Sequence, residues 1–185
     1  MSSQFKLKLA ARHIYAGGVI AYPTESVIGL GCDPLNEEAV NKLLFIKNRS
    51  IDKGLILIAS EIEQLLPFID VNQKQIDKII STNDKPVTWL IRASAFAPAW
   101  ITGSHTKIAV RLTRHPLAKQ LCQIVGYPLV STSANKSGQA PARTLLRTKQ
   151  YFSDQIDYYL SGSTGKHNKP SEIRDIDSDQ IIRAS

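Results

Sequence analysis

The sequence is poor in several features that define common protein classes. It has two cysteines, Cys32 and Cys122, in 185 residues. They are too few for a disulfide framework, and neither belongs to a Cys-x-x-Cys pair. No apolar run approaches the roughly 18 residues of a membrane-spanning helix. The N-terminus lacks the uninterrupted apolar segment of a secretory signal. These absences predict a cytoplasmic protein with reduced thiols.

Familiar catalytic and metal-binding motifs are also missing. The four histidines (13, 105, 115 and 167) have no ligand spacing with one another or with cysteine, so no resident metal site is expected. The sequence contains neither the Gly-rich P-loop pattern nor a Gly-x-Ser-x-Gly nucleophile motif. Gly29 and Gly31 lack the third glycine of a dinucleotide-binding fingerprint. P-loop nucleotide hydrolysis, serine hydrolysis and Rossmann-type cofactor binding are therefore not indicated.

The apolar content and the length indicate one folded domain. Leu, Ile, Val and Phe account for 52 of the 185 residues, which is above the share of roughly 20% below which disorder becomes common. At about 150 residues per domain, the length corresponds to a single domain over residues 1–185. A chain of this size buries enough surface to fold without disulfides or metal.

Negative charge is missing from one long segment, although the whole chain has a net charge of +7. Residues 85–153 contain no Asp or Glu. A segment of one sign attracts phosphorylated ligands and nucleic acids. The alternative interpretation is a basic surface that only aids solubility. The segment contains ten cations: Lys85, Arg92, Lys107, Arg111, Arg114, Lys119, Lys136, Arg143, Arg147 and Lys149.

Short apolar runs alternate with helical patterns along the chain. Because several gaps between predicted strands are too short for a crossover helix, we expect a twisted, mixed sheet with flanking helices, an α/β fold. Ser60 and Glu63 are predicted to form the capping box of a short helix. Leu117, Leu121 and Ile124 are predicted to form the apolar stripe of a helix over 115–125. The pattern predicts helices over 5–16, 37–47 and 115–125 and strands over 19–22, 54–59, 86–92, 107–112, 128–130, 158–160, 172–176 and 180–183.

Four segments place hydroxyls or cations at the ends of predicted strands, where ligand sites of α/β proteins form. They are residues 22–26, residues 47–54, residues 131–138, and the late cations Arg174 and Arg183 with Ser171. Taken singly, each is also compatible with an ordinary turn, helix end or connection. Their co-occurrence favours a site for a phosphorylated small molecule, since arginine forks and small hydroxyl donors bind phosphate oxygens.

The same segments resemble the YrdC/TsaC family, the threonylcarbamoyl-AMP synthases, in its short form. The resemblance runs in order over nearly the whole chain. Its motifs are Tyr-Pro-Thr-Glu-Ser (22–26), Lys-x-Arg (47–49) with Asp-Lys-Gly (52–54), Ala-Val-Arg (109–111), Ser-Thr-Ser-Ala-Asn-x-Ser-Gly (131–138) and Pro-Ser-Glu-Ile-Arg-Asp (170–175).

The resemblance implies a twisted α/β fold with a concave basic face and a defined reaction. L-Threonine, bicarbonate or CO2, and ATP give threonylcarbamoyl-adenylate and pyrophosphate, for modification of adenosine 37 in tRNAs that read ANN codons. Lys47 and Arg49 are the implied catalytic residues. The resemblance assigns Thr24, Arg111, Ser131 and Ser171 to threonine, and Lys47, Arg49, Lys53, Ser133, Asn135, Arg143 and Arg183 to ATP.

The resemblance also sets expectations for cofactors and partners. Mg2+ is expected to arrive with ATP, without a dedicated protein site. Partner proteins of the threonylcarbamoyl transfer step are expected, and tRNA or double-stranded RNA is expected on the basic face. Lys107 stands four positions before Arg111, where the family commonly has a small hydroxyl that contacts ATP. The alternative function is an RNA-binding or ribosome-assembly factor without turnover.

Overall fold

The computed structural model describes residues 3–81, 86–166 and 171–184. Over this part of the chain there are six α-helices and nine strands. The helices are α1 (Ser3–Tyr15), α2 (Glu37–Lys47), α3 (Gln73–Ser81), α4 (Ala99–Thr102), α5 (Pro116–Val125) and α6 (Leu145–Phe152). The strands are β1 (Ile20–Pro23), β2 (Ile28–Gly31), β3 (Ile56–Ala59), β4 (Val87–Arg92), β5 (Lys107–Leu112), β6 (Leu129–Ser133), β7 (Tyr158–Tyr159), β8 (Glu172–Asp175) and β9 (Ile181–Arg183).

The strands form one mixed sheet in the order β7-β1-β2-β6-β3-β5-β4-β8-β9. The pairs β1–β7, β3–β5 and β4–β8 are parallel, and the other neighbours are antiparallel. The prediction of a mixed α/β sheet with flanking helices is confirmed. This order makes β2, β6, β3 and β5 successive neighbours, although they come from distant parts of the chain.

Apolar layers cover both faces of the sheet. On one face, α1 and α5 pack with Tyr22 and Ile58 in one cluster of buried residues. On the other face, α2 and the ends of α3 and α6 pack in a larger cluster that includes Leu57 and Ala59. Successive residues of β3 therefore enter opposite layers, as its uninterrupted apolar sequence predicts for a central strand.

Two local predictions were wrong. Gln64, not Glu63, pairs with Ser60: Gln64 Oε1 accepts from the Ser60 amide at 2.9 Å and from its hydroxyl at 3.0 Å. The short 3-10 helix Ile62–Gln64 has Glu61, not Ser60, as its N-cap residue, so the third helical position, whose side chain reaches back, is Gln64. The buried residues of α5 are Ala118, Leu121, Cys122 and Val125, whereas Ile124 is 37% exposed. Because Ala118 and Cys122 are small, α5 packs closely against α1 and the sheet.

Candidate active site

Three adjoining cavities open along the sheet and share lining residues. We call them the apolar cavity (about 590 Å³), the hydroxyl-lined cavity (about 240 Å³) and the polar cavity (about 230 Å³). Arg49 lines all three, Ser133 lines the second and third, and Arg183 lines the first and second. Because they share walls, the cavities form one cleft.

The hydroxyl-lined cavity brings together the four residues predicted for threonine. Thr24 follows β1, Arg111 is on β5, Ser131 is on β6, and Ser171 precedes β8; all four line this cavity. Each of them is at most 9% exposed. The Thr24 hydroxyl donates to the Val27 carbonyl at 2.8 Å, which fixes the turn between β1 and β2. Four distant segments thus supply three hydroxyls and one cation to a single small volume.

Arg111 is held at the floor of that cavity by two partners. Its Nη1 donates to Ser171 Oγ at 2.8 Å, and its Nη2 lies 3.5 Å from Glu25 Oε2. Glu25 Oε1 in turn accepts from Thr113 Oγ1 at 2.7 Å. Arg111 Nε has no hydrogen-bond partner among the described residues. The guanidinium is oriented by the fold and lines the cavity, which suits it to bind a carboxylate.

The surroundings of Glu25 favour its charged form. Burial alone would raise the pKa of Glu25, but the charge of Arg111 and the hydrogen bond from Thr113 outweigh it and lower the pKa to about 2. A carboxyl whose pKa is lower in the folded state stabilises the fold above its unfolded pKa of about 4.5, and this stabilisation is lost as the pH falls towards 2. The shift corresponds to about 3 kcal/mol.

We expect the free energy of unfolding of the wild type to fall more steeply between pH 5 and pH 2 than that of Glu25→Gln. Urea titrations at a series of pH values measure both curves. Because glutamine does not titrate, the difference between the curves isolates this carboxyl from the other acids of the chain. Parallel curves would contradict the assignment of the low pKa to Glu25.

The polar cavity is lined by cations, hydroxyls and one side-chain amide from two segments of the chain. Lys47 is the last residue of α2, and Asn48 ends the helix in a left-handed conformation with φ 51°. Lys47 Nζ donates to the carbonyls of Ser133 and Asn135, the latter at 2.7 Å. The lining residues include Lys47, Arg49, Lys53, Ser133 and Asn135. The loop after α2 and the loop after β6 therefore meet at one site, through the ammonium of Lys47.

Positive charge in the cleft is only partly compensated. Arg49 Nη2 donates to the Gly54 carbonyl at 2.9 Å, which orients the guanidinium without neutralising it. Burial, and then the charge of Arg49, lower the pKa of Lys47 to about 8. Burial, and then the charges of Arg111 and Arg49, lower the pKa of Arg183. Cations that lower one another's pKa are stabilised by a bound anion.

The apolar cavity is lined by residues of β3, β4, β5 and β9. Its volume is within the range of roughly 300–1,000 Å³ that is typical of sites for small molecules. Leu55, Ile56, Leu90, Ile101 and Ala109 form much of its wall. Among the described residues that line the three cavities, none is Asp or Glu. The cleft as a whole combines an apolar pocket with an acid-free, cationic one, as a nucleotide requires.

Ten of the eleven predicted site residues line this cleft. The exception is Arg143, which is exposed before α6 and is not among the residues that line these cavities. Sequence reasoning missed Gly29 and the apolar wall. The wall residues Leu55 and Ile56 belong to an apolar run that is equally typical of a buried strand, so no local signal marked them. Pro170 of the predicted motif lies outside the described residues.

Over residues 3–81, 86–166 and 171–184 the structure has neither a metal-ligand cluster nor a membrane-spanning helix. No group of three or more His, Cys, Asp or Glu in these ranges is placed to hold a metal ion. None of the described helices is long and apolar enough to cross a membrane.

Comparison with known proteins places these features in a family. The chain is 52% identical over 186 residues to a threonylcarbamoyl-AMP synthase of Pseudomonas fluorescens strain Pf-5, with full coverage of both chains. Its fold matches P. abyssi Sua5 complexed with L-threonine, with a TM-score of 0.86 and 28% identity over 95% of this chain and 52% of that one. It also matches E. coli YciO, with a TM-score of 0.84 and 22% identity over 98% and 89% of the two chains.

The family model agrees with these matches. The model of Sua5, YciO and YrdC proteins, described as "Telomere recombination", matches residues 12–185. This chain therefore belongs to the Sua5/YciO/YrdC family.

Proposed function

We propose that this protein is a threonylcarbamoyl-AMP synthase, a nucleotidyltransferase. It joins L-threonine, bicarbonate or CO2, and ATP into threonylcarbamoyl-adenylate and releases pyrophosphate. The product serves the modification of adenosine 37 in tRNAs that read ANN codons. The observation that carries the proposal is the convergence of Thr24, Arg111, Ser131, Lys47 and Arg49 on one cleft. The full-length similarity to a protein of that name supports it.

The hydroxyl-lined cavity is the proposed site for the amino acid. Arg111 pairs with the threonine carboxylate, because its guanidinium is already oriented by Ser171 and Glu25. Thr24, Ser131 and Ser171 donate to or accept from the remaining polar groups of the substrate. The threonine amine attacks the carbon of CO2 and loses a proton to solvent, which gives a carbamate, so the reacting oxygen is generated beside Ser131 and Ser133.

The polar cavity is the proposed site for the triphosphate. The carbamate oxygen attacks the α-phosphorus, the bond to the β-phosphate breaks, and pyrophosphate leaves with the electron pair. Two anions must meet in line, so the catalytic need is alignment and charge neutralisation. Lys47 and Arg49 offset the charge of the phosphates, Ser133 and Asn135 donate to phosphate oxygens, and Lys53 contributes at the open side.

Mg2+ is proposed to enter with ATP. The lining residues offer hydroxyls and cations and no carboxylate, so they fit a metal bound through phosphate oxygens and water. The apolar cavity holds the base, and Arg183 reaches both it and the hydroxyl-lined cavity. Arg143 is exposed and stays a predicted ATP ligand.

Gly29 is expected to set the depth of the amino-acid site. It lines the hydroxyl-lined cavity, and a Cβ added there would lie 2.9 Å from Thr24 Cγ2 and 3.6 Å from Ser131 Oγ. Gly29→Ala should raise KM for threonine about tenfold, as one added methyl in a tight pocket does. KM for ATP, measured in the same assays, should stay unchanged, and an equal rise in both constants would contradict this placement.

The direct test is mass spectrometry of the adenylate formed by the purified protein. The product should require ATP, threonine and bicarbonate together, and pyrophosphate release should stop when any one is omitted. Replacement of threonine by other amino acids tests the substrate. Absence of the adenylate under all conditions would overturn the proposal.

Partners of the product and of the basic surface are secondary proposals. Seven cations of the acid-free segment are exposed: Arg92, Arg114, Lys119, Lys136, Arg143, Arg147 and Lys149. They support contact with tRNA or double-stranded RNA through backbone phosphates. Steeply salt-dependent RNA binding without turnover would instead favour the RNA-binding factor. A cytoplasmic location and partner proteins that receive the adenylate remain proposals.

A further inference from the structure

The β8–β9 hairpin carries part of the cleft, and its outer strand β9 has few apolar anchors. Strand β9 is at the end of the sheet, and its ladder within the described residues is with β8. Ile181 and Ile182 are 49% and 53% exposed. Apolar burial therefore contributes little to the position of β9, although Arg183, its last residue, lines two of the three cavities.

The turn of this hairpin is anchored by Ile176, which is 3% exposed in the core, and by polar and charged side chains around it. Lys107, on β5, donates to the carboxylate of Asp175 and to Asp177 Oδ2, the latter at 3.2 Å. Gln75, on α3, donates to Asp177 Oδ1 at 2.7 Å. The side chains of Asp175 and Lys107 are 14% and 34% exposed, so this ion pair is partly shielded from solvent, whereas Asp177 is exposed.

The two ends of the hairpin are anchored differently. Ser171, before β8, is held by Thr88 Oγ1 at 2.9 Å and by Arg111 Nη1 at 2.8 Å. Arg183, at the end of β9, has a hydrogen bond from its Nη2 to the Ser171 carbonyl at 2.8 Å. Arg183 is placed by this one hydrogen bond and by the pairing of β9 with β8, so a loosened turn would shift Arg183, whereas Thr88 and Arg111 hold Ser171 independently of the turn.

We infer that Lys107 is a positioning residue for ATP. Its contacts with Asp175 and Asp177 fix the hairpin, and the hairpin presents Arg183 to the nucleotide. The inference rests on the proposed function. Lys107 also lines the apolar cavity, so a direct contact with ATP is the competing explanation. Because its ammonium already donates to two carboxylates, we assign its effect to the hairpin.

The test is a double-mutant cycle on ATP binding and turnover. Lys107→Met and Asp175→Asn should each raise KM for ATP about fivefold, with kcat and KM for threonine unchanged. Asparagine retains an oxygen that accepts from the turn amides of Asp177 and Ser178, so it removes the ion pair selectively. Lys107→Arg should keep the wild-type KM. In an Arg183→Met background, Lys107→Met should have no further effect.

Two results would overturn the inference. One is that the effects of Lys107→Met and Arg183→Met multiply, which would indicate a direct contact between Lys107 and ATP. The other is that Asp175→Asn leaves KM for ATP unchanged. Calorimetric titration measures the Kd for ATP of the same variants without turnover. A failure of the proposed reaction would leave these Kd values measurable, so the two failures can be distinguished. If Lys107→Met does not fold, Asp175→Asn replaces it in the cycle, and Asp175→Asn should then have no further effect in the Arg183→Met background.

Discussion

Replacing Lys47 or Arg49 by alanine should lower the rate of pyrophosphate release by about 10² or more. Removal of a charge that stabilises a transition state typically costs this much. Lys47 and Arg49 line the same cavity as Ser133 and Asn135, and no carboxylate among its described lining residues requires them for pairing. Their charge is therefore available to the phosphates, and its loss should reduce kcat more than it changes KM for threonine.

The structure adds a control to this experiment. Lys47 Nζ donates to the carbonyls of Ser133 and Asn135, so Lys47→Ala also removes a link between two loops. Arg49→Lys keeps a charge and loses the bond from Nη2 to Gly54, which separates charge from geometry. Lys119→Ala removes an exposed cation of α5 that does not line the cleft. Turnover near the wild-type rate in both alanine variants would remove these residues from the active site.

Much of the sheet follows from sequence patterns, and the exceptions have physical causes. Strands β3 and β5 were predicted because apolar runs of this kind suit buried strands. Strand β2 was missed because Gly29 and Gly31 weaken a strand pattern. Helix α3 was missed although Ile76, Ile79 and Ile80 have helical spacing, because the segment is short and otherwise polar, and Ile79 is its one buried residue among those described.

The cleft itself is a property of strand order. Residues 47–54 and 131–138 are far apart in the chain and meet because β6 pairs with both β2 and β3. Local patterns carry no information on that order, so they indicated four separate polar segments with a common chemistry. Only the family resemblance assigned the residues of these segments to one threonine site and one ATP site. The contacts of Lys107 with Asp175 and Asp177 were not predictable either, because both partners are on the far side of β4.

Replacing Arg111 by methionine should destabilise the fold by about 3 kcal/mol or more, the usual cost of removing one partner of a buried ion pair. Arg111 and Glu25 are 9% and 8% exposed. Without the guanidinium, Glu25 Oε2 keeps a buried charge with no hydrogen-bond donor in the described structure. Urea unfolding at pH 7 measures the loss, and Arg111→Lys should recover part of it.

The double variant Arg111→Met with Glu25→Gln separates stability from ligand binding. Glutamine carries no charge and can still accept from Thr113 Oγ1, so most of the stability lost in Arg111→Met should return. KM for threonine should nevertheless stay about 10² above the wild-type value, because a charge-assisted contact with the substrate carboxylate is worth roughly 3 kcal/mol. If KM recovers together with stability, Arg111 acts on folding, and another group must bind the carboxylate.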